Sequence, residues 1–236
     1  YVLPLRELVR EGRIPMRVLD ERVRDILRVK FLVGLFDNPY QTDYEAADRE
    51  VDGPENNAVA LRASRESLVL LKNAGNTLPL DASRLRQVAV IGPNADETAF
   101  VHTHYGPLAT EAVSVYEGLS KALGNKVRVV YEKGCELVDA DWPLSEILPT
   151  EPAEEELAMI RRAVEAARAS DVAVVVVGGG PRTCGENKSR TSLDLPGRQE
   201  LLLREVHKVG KPMIVVLING RCLLYTSPSP RDGLLS

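Results

Sequence analysis

The feature that most constrains this chain is a run of six apolar residues, Val172–Val177 (VAVVVV), closed by Asp171 before it and by Gly178-Gly179-Gly180 after it. A strand with one wet face alternates polar and apolar side chains. An unbroken β-branched run belongs to a strand covered on both faces. Three further runs share this character: Val88–Ile91, ended by Gly92-Pro93; Val127–Val130; and Met213–Ile218, ended by Asn219-Gly220. Segments with helical spacing lie between them, at Val113–Leu123, Glu154–Ser170 and Arg198–Val209. Strand and helix in alternation predict an α/β fold, an αβα sandwich with a mostly parallel sheet and helices on both sides. With 44% hydrophobic residues in 236, the chain is long and apolar enough to bury such a core.

The residues before this region read differently. Leu5–Arg10 is a short helical stretch. Leu19, Val23, Ile26, Leu27 and Phe31 then recur at helical spacing, with Asp20 as the expected N-cap and Gly34 and Pro39 as stop signals. This amphipathic helix has no apolar partner in the first 40 residues, so its partner is expected upstream of Tyr1. Phe36–Pro54 is polar and carries the turn signals Asn38-Pro39 and Asp52-Gly53-Pro54, which predicts an irregular linker. A second helix is predicted over Glu55–Lys72, with Leu61, Ser64, Leu68 and Leu71 on one face, ended by Asn73–Pro79.

Several function classes are set aside by what the sequence contains. No apolar run reaches the ~18 residues of a membrane-spanning helix. No Lys/Arg stripe is interleaved with aromatics, so nucleic acid is not an expected partner, and the formal net charge of −4 agrees. The three cysteines, Cys135, Cys184 and Cys222, form no C-x-x-C pair and suggest neither a zinc site nor a disulfide framework. No metal or cofactor is indicated, and oligomeric state is left open.

In a parallel α/β sheet, ligands meet the loops beyond the carboxyl ends of the strands. The richest such loop is Gly178–Pro196 (GGGPRTCGENKSRTSLDLP), which follows the strongest strand and carries Glu186, Asn187, Lys188, Arg190 and Asp194. Its glycines do not match G-x-G-x-x-G and open no helix, which speaks against a nucleotide site; Gly180 is expected to give the chain a sharp exit from the strand. Spacing alone leaves Glu186 with two readings. It is a solvated loop carboxylate paired with Lys188 or Arg190, or, where shielded, a group of raised pKa that donates a proton near neutral pH.

The stretch CGENKSRTSLDLPGRQ (Cys184–Gln199) resembles the acid/base loop of glycoside hydrolase family 3. Four other segments agree in order. VRDILRVKFLVGLF (Val23–Phe36) is similar to the last helix of that family's barrel domain. ASRESLVLLKNAGNTLPL (Ala63–Leu80) and VAVIGPN (Val88–Asn94) are similar to the start of its second domain and that domain's first strand. MIVVLINGR (Met213–Arg221) is similar to a strand that normally continues with Pro-Leu. The resemblance covers about residues 5–221. It implies hydrolysis of terminal β-linked glucosides or xylosides with retention, which needs two carboxylates ~5–5.5 Å apart. By the same resemblance Glu186 is the acid/base, while the nucleophile, an Asp of the barrel, lies outside this chain, so the chain alone is expected to be inactive. The implied substrate is an oligosaccharide or aryl glycoside.

The resemblance further implies a domain order: residues 1–35 end a TIM-like barrel, 36–72 are a linker with the helix leading into the second domain, and 73–221 are a truncated αβα sandwich. Where many members carry an acidic residue just before the loop arginine, this chain has Ser189-Arg190. Arg190 is expected to order the loop, to contact substrate or Glu186, or to be an ordinary surface charge. In HTHYGP (His102–Pro107), Tyr105 is the candidate for stacking on a sugar, and His102 and His104 are ordinary loop histidines. Trp142 is a packing anchor or a second stacking residue, and Cys184 is expected to be a buried, inert thiol. The competing reading is a noncatalytic α/β module that binds carbohydrate or protein. The last residues stand apart. CLLYTSPSPRD (Cys222–Asp232) resembles what a transposase adapter used in short-read library preparation would encode in one frame, so residues 222–236 are expected to be an artefact and are left out of the fold.

Overall fold

A computed structural model of the chain describes residues 2–40, 43–51, 53–102 and 112–220. Two compact units are present, residues 1–69 and residues 70–236. The expectations for Tyr105, His104 and the tail from Cys222 onward lie outside the described residues, as does the side chain of His102.

The first unit is helical: α1 (Val2–Arg10), α2 (Met16–Leu32), α3 (Tyr44–Glu50) and α4 (Pro54–Ser67). Three boundaries depart from expectation. Helix α2 begins at Met16, after Pro15 in extended conformation, and Asp20 therefore lies inside the helix instead of capping it. The linker is not wholly irregular: α3 forms within it because the Asp43 carboxylate accepts the Ala46 N–H at 2.8 Å, satisfying one of the orphan donors of the first turn. Helix α4 stops at Ser67, whose hydroxyl donates to the Ser64 carbonyl at 2.8 Å, and Leu68 turns to extended backbone. Leu68 and Leu71 thus lie beyond the helix.

The second unit is the α/β sandwich. Strands β1 (Gln87–Ile91), β2 (Arg128–Glu132), β3 (Val172–Gly178) and β4 (Met213–Ile218) form one parallel sheet in the order β2-β1-β3-β4. Val90 of β1 sits opposite Tyr131 of β2 on one side and Val174 of β3 on the other. The short helix α5 (Ala99–His102) and α6 (Val115–Leu123) lie between β1 and β2. Helix α7 (Glu154–Arg168) precedes β3, and α8 (Gln199–His207) precedes β4.

Alternation within the two central strands divides the core. Ala89, Ile91, Val175 and Val177 pack with Ile160, Ala163 and Ala167 of α7 and with Leu202 and Val206 of α8. Val88, Val90, Val174 and Val176 face the other way, toward Val115, Leu119 and Leu123 of α6. Both faces are covered, so all of β3 is buried and its sequence has no polar alternation. Each fully buried Val or Ile contributes on the order of 1.5–3 kcal/mol.

Polar groups fix the strand ends. The Asp171 carboxylate accepts the Gln87 and Arg86 N–H groups, tying the start of β3 to the start of β1, and these bonds hold its pKa below the ordinary range. Helix α6 starts at Val115 because Ser114 caps it, accepting from Glu117 N–H at 3.0 Å while Glu117 accepts from Ser114 N–H. A glycine with positive φ follows β1 and another ends β3, Gly92 at 123° and Gly178 at 139°. A Cβ there would sit 2.0 Å from the Val176 carbonyl oxygen and 1.9 Å from that of Ile218, respectively. The sharp exit from β3 is therefore made by Gly178 and not by Gly180. Buried Cys135 has its thiol pKa pushed up to about 12 by desolvation, which keeps it protonated and inert.

Candidate active site

The residues between β3 and α8 form a long loop beyond the carboxyl end of the sheet, and three sets of bonds hold it. Gln199, fully buried at the start of α8, closes the base. Its Oε1 accepts Gly178 N–H at 2.7 Å, and its Nε2 donates to the carbonyls of Leu137 and Gly178 at 2.8 and 3.0 Å. The ascending arm is held by Thr183, also fully buried, whose hydroxyl oxygen accepts Gly180 N–H at 3.0 Å while its own N–H donates back to Gly180 O at 2.9 Å. The descending arm is held by Arg190. Its Nε lies 2.6 Å from Glu146 Oε1, and its Nη2 donates to the Asp194 carbonyl at 2.8 Å. Arg198, at the far end, reaches Glu156, the Thr150 carbonyl and hydroxyl, and the Glu151 carbonyl.

Between the two arms the chain makes a tight turn. Lys188 N–H donates to Gly185 O at 3.3 Å, and Asn187 takes a positive φ of 60°, a conformation asparagine tolerates better than most residues. Glu186 is at the first corner of this turn and is exposed to solvent.

Glu146 lies on a short 3₁₀ turn (Leu144–Glu146) after β2. Its side chain is 6% exposed, and that of Arg190 is 7% exposed. Burial opposes its charge. The Thr191 N–H at 2.9 Å, the Arg190 guanidinium, the Thr191 hydroxyl at 3.0 Å and the Trp142 indole N–H at 3.3 Å outweigh that penalty and hold its pKa at about 2. Trp142 is half-buried, with the Arg182 guanidinium carbon 5.7 Å from its ring centroid, so it has a packing role within the unit. The Cys184 thiol is half-buried and lies 3.7 Å from the Thr183 hydroxyl.

A cavity of about 720 Å³ opens beside the loop, beyond the ends of β1, β2 and β3, lined in part by Asn94, Glu97, Asp139, Asp141, Arg182 and Arg198. Glu186 and Arg190 do not line it. Asn94 is 1% exposed and donates from Nδ2 to the Gly179 carbonyl at 2.7 Å, joining the end of β1 to the start of the loop. Among the described residues no cluster of His, Cys, Asp or Glu could hold a metal, and no helix is long and apolar enough to cross a membrane.

Sequence reasoning missed Glu146, Thr183 and Gln199 as parts of this site. Gln199 belonged to the motif that drew attention, but a motif gives no geometry. Glu146 has no local signal for its hold on the loop, because the loop partners Arg190 and Thr191 are 44 and 45 residues away.

Comparison with known proteins gives this geometry its context. Residues 68–232 match the model of the glycosyl hydrolase family 3 C-terminal domain. A β-xylosidase of Formosa agariphila is 39% identical over 226 residues, covering 93% of this chain and 29% of that protein. A periplasmic β-glucosidase of Salmonella typhimurium is 34% identical, covering 97% of this chain and 31% of that protein. Among solved structures, a β-glucosidase involved in saponin metabolism from intestinal bacteria superimposes with a TM-score of 0.74 at 30% identity, covering 90% of this chain and 31% of that one. The chain thus spans under a third of the length of these relatives.

Proposed function

The chain belongs to glycosyl hydrolase family 3, and from that premise we propose that it is part of a longer enzyme that hydrolyses terminal β-linked glucosides or xylosides with retention, Glu186 serving as the acid/base. The observation that carries this reading is the position of Glu186 within the family-matching segment, on an anchored turn beyond the carboxyl end of β3. In the first step its carboxyl protonates the departing glycosidic oxygen as a nucleophilic carboxylate attacks the anomeric carbon. In the second, the Glu186 carboxylate takes a proton from the water that attacks the glycosyl–enzyme bond. The nucleophile is assigned to a part of the longer enzyme outside these residues, and residues 1–35 to the end of the barrel that bears it. Residues 36–72 are read as the linker and lead-in helix, and 73–221 as the sandwich domain.

Tyr105 is the proposed stacking residue for the sugar. Arg190 is given a holding role, because its buried guanidinium faces Glu146 and the Asp194 carbonyl. The test is Glu186→Ala in the longer enzyme with an unactivated aryl β-glycoside. Turnover should fall by roughly 10²–10⁴-fold, the range general acid–base groups supply, and the basic limb of the pH profile should disappear. Wild-type turnover would remove Glu186 from the chemistry.

A further inference from the structure

The two arms of the Glu186 turn leave it symmetrically. Arg182 stands four residues before it and Arg190 four residues after it. Both reach the same short platform. Arg182 lies over the Trp142 ring, and Arg190 pairs with Glu146. Trp142 and Glu146 are themselves joined, the indole N–H donating to Glu146 Oε1 at 3.3 Å. The platform is braced from behind by Asp139, whose carboxylate accepts the Asp141 N–H at 3.0 Å and the Ser145 hydroxyl at 2.8 Å.

We infer that Glu146 is a positioning residue for the acid/base, a buried carboxylate that clamps the descending arm of the turn so that the Glu186 carboxyl is held where a leaving oxygen must be protonated. This rests on the reading of Glu186 given above. Both Glu146 oxygens are used twice, Oε1 by Arg190 and Trp142, Oε2 by the Thr191 amide and hydroxyl. The Thr191 amide bond fixes the backbone itself, five residues from Glu186, so the clamp sets the path of the arm and not only a side chain. With its pKa held at about 2, Glu146 stays charged, and the clamp closed, over the whole range in which an acid/base carboxyl cycles. Displacing a reacting group by about 1 Å costs on the order of 10²-fold in rate, so an anchor of this kind acts on the step that needs the proton and not on sugar binding as such.

That distinction gives the test. In the longer enzyme, kcat/KM is measured for aryl β-glycosides whose phenols range from 2,4-dinitrophenol, which departs with little protonation, to unsubstituted phenol, which needs it. Glu146→Gln should cost roughly 10–100-fold on the phenyl glycoside, by the displacement argument, and within about 3-fold on the dinitrophenyl glycoside, steepening the dependence on leaving-group pKa. A merely structural role would lower both alike by reducing the folded fraction, and an equal loss would overturn the inference. Should Glu146→Gln fail to fold, Thr191→Val removes one of the four contacts and should show the same divergence at smaller size; parallel losses there would equally overturn it. Glu186→Gln is the reference. If it diverges with leaving group while the Glu146 and Thr191 variants do not, only the positioning role falls. If it does not diverge, the acid/base reading and this inference fall together.

Discussion

The loop between β3 and α8 has a dry base and a wet tip, and the contrast separates the residues that hold the fold from those that face solvent. At the base, Thr183 and Gln199 are fully buried, and their polar atoms are bonded to the backbone of Gly180, Gly178 and Leu137. At the tip, residues 185–187 are exposed, and the backbone turns through positive φ at Gly185 and Asn187. The base answers to stability, since an unmet buried donor or acceptor costs about 1–3 kcal/mol. The tip contributes little to folding, since exposed substitutions usually change stability by no more than about 0.5 kcal/mol. The lesson is that Glu186 and the buried residues at the base of its loop should separate experimentally, the proposed acid/base moving rate and Thr183 and Gln199 moving stability.

The largest effect expected is on rate. Glu186→Ala should lower turnover of an unactivated substrate by about 10²–10⁴-fold while leaving the melting temperature within a degree or two of wild type, read by calorimetry. A large loss of stability would erase the contrast between tip and base. The next is at the base. Gln199→Ala leaves the Gly178 N–H and the Leu137 carbonyl unmet and opens a cavity, and should cost roughly 3 kcal/mol in denaturant unfolding of the sandwich.

The Glu146 clamp lies between these extremes, and pH separates its contribution. Its folded-state pKa is about 2 against an ordinary 4.5, a depressed value. Its charge therefore adds stability in full above pH ~4.5, and that stability is lost as pH falls from there through about 2. The contribution is on the order of 3 kcal/mol. Glu146→Gln should flatten this part of the acid limb, and an unchanged slope would show that the carboxylate is not held as described. The smallest effect is expected at Ser192, whose hydroxyl exchanges bonds with Asp194 near the surface. Ser192→Ala should cost about 0.5–1 kcal/mol by the same unfolding measurement and leave rate nearly unchanged.

The same contrast governs what could be read from sequence. All four strands were legible as β-branched runs, but burial on both faces explains only β1 and β3, the edge strands β2 and β4 being partly exposed; β3 and β4 begin where expected, and β2 is displaced toward its carboxyl end by a residue or two. Helices α6, α7 and α8 were legible to within one or two residues, with caps such as Ser114 deciding the rest, whereas the short α5 was not. Helix α3 was not, since seven mostly polar residues within a turn-rich stretch carry no periodicity and depend on one cap bond from Asp43. Glu186 was marked by its motif. The residues that hold its turn were not, because Glu146 and Gln199 act through contacts made only when the sheet brings distant segments together.

The central claim is that Glu186 is the acid/base of a retaining glycosidase, and one product identification tests it most directly. The Glu186→Ala form of the longer enzyme is given a 2,4-dinitrophenyl β-glycoside and sodium azide, and the sugar product is examined by proton NMR. A small anion should replace the missing general base at the glycosyl–enzyme stage, so the account expects faster turnover with azide and a glycosyl azide of β configuration. Unchanged turnover with only free sugar released, or an azide of α configuration, would contradict it.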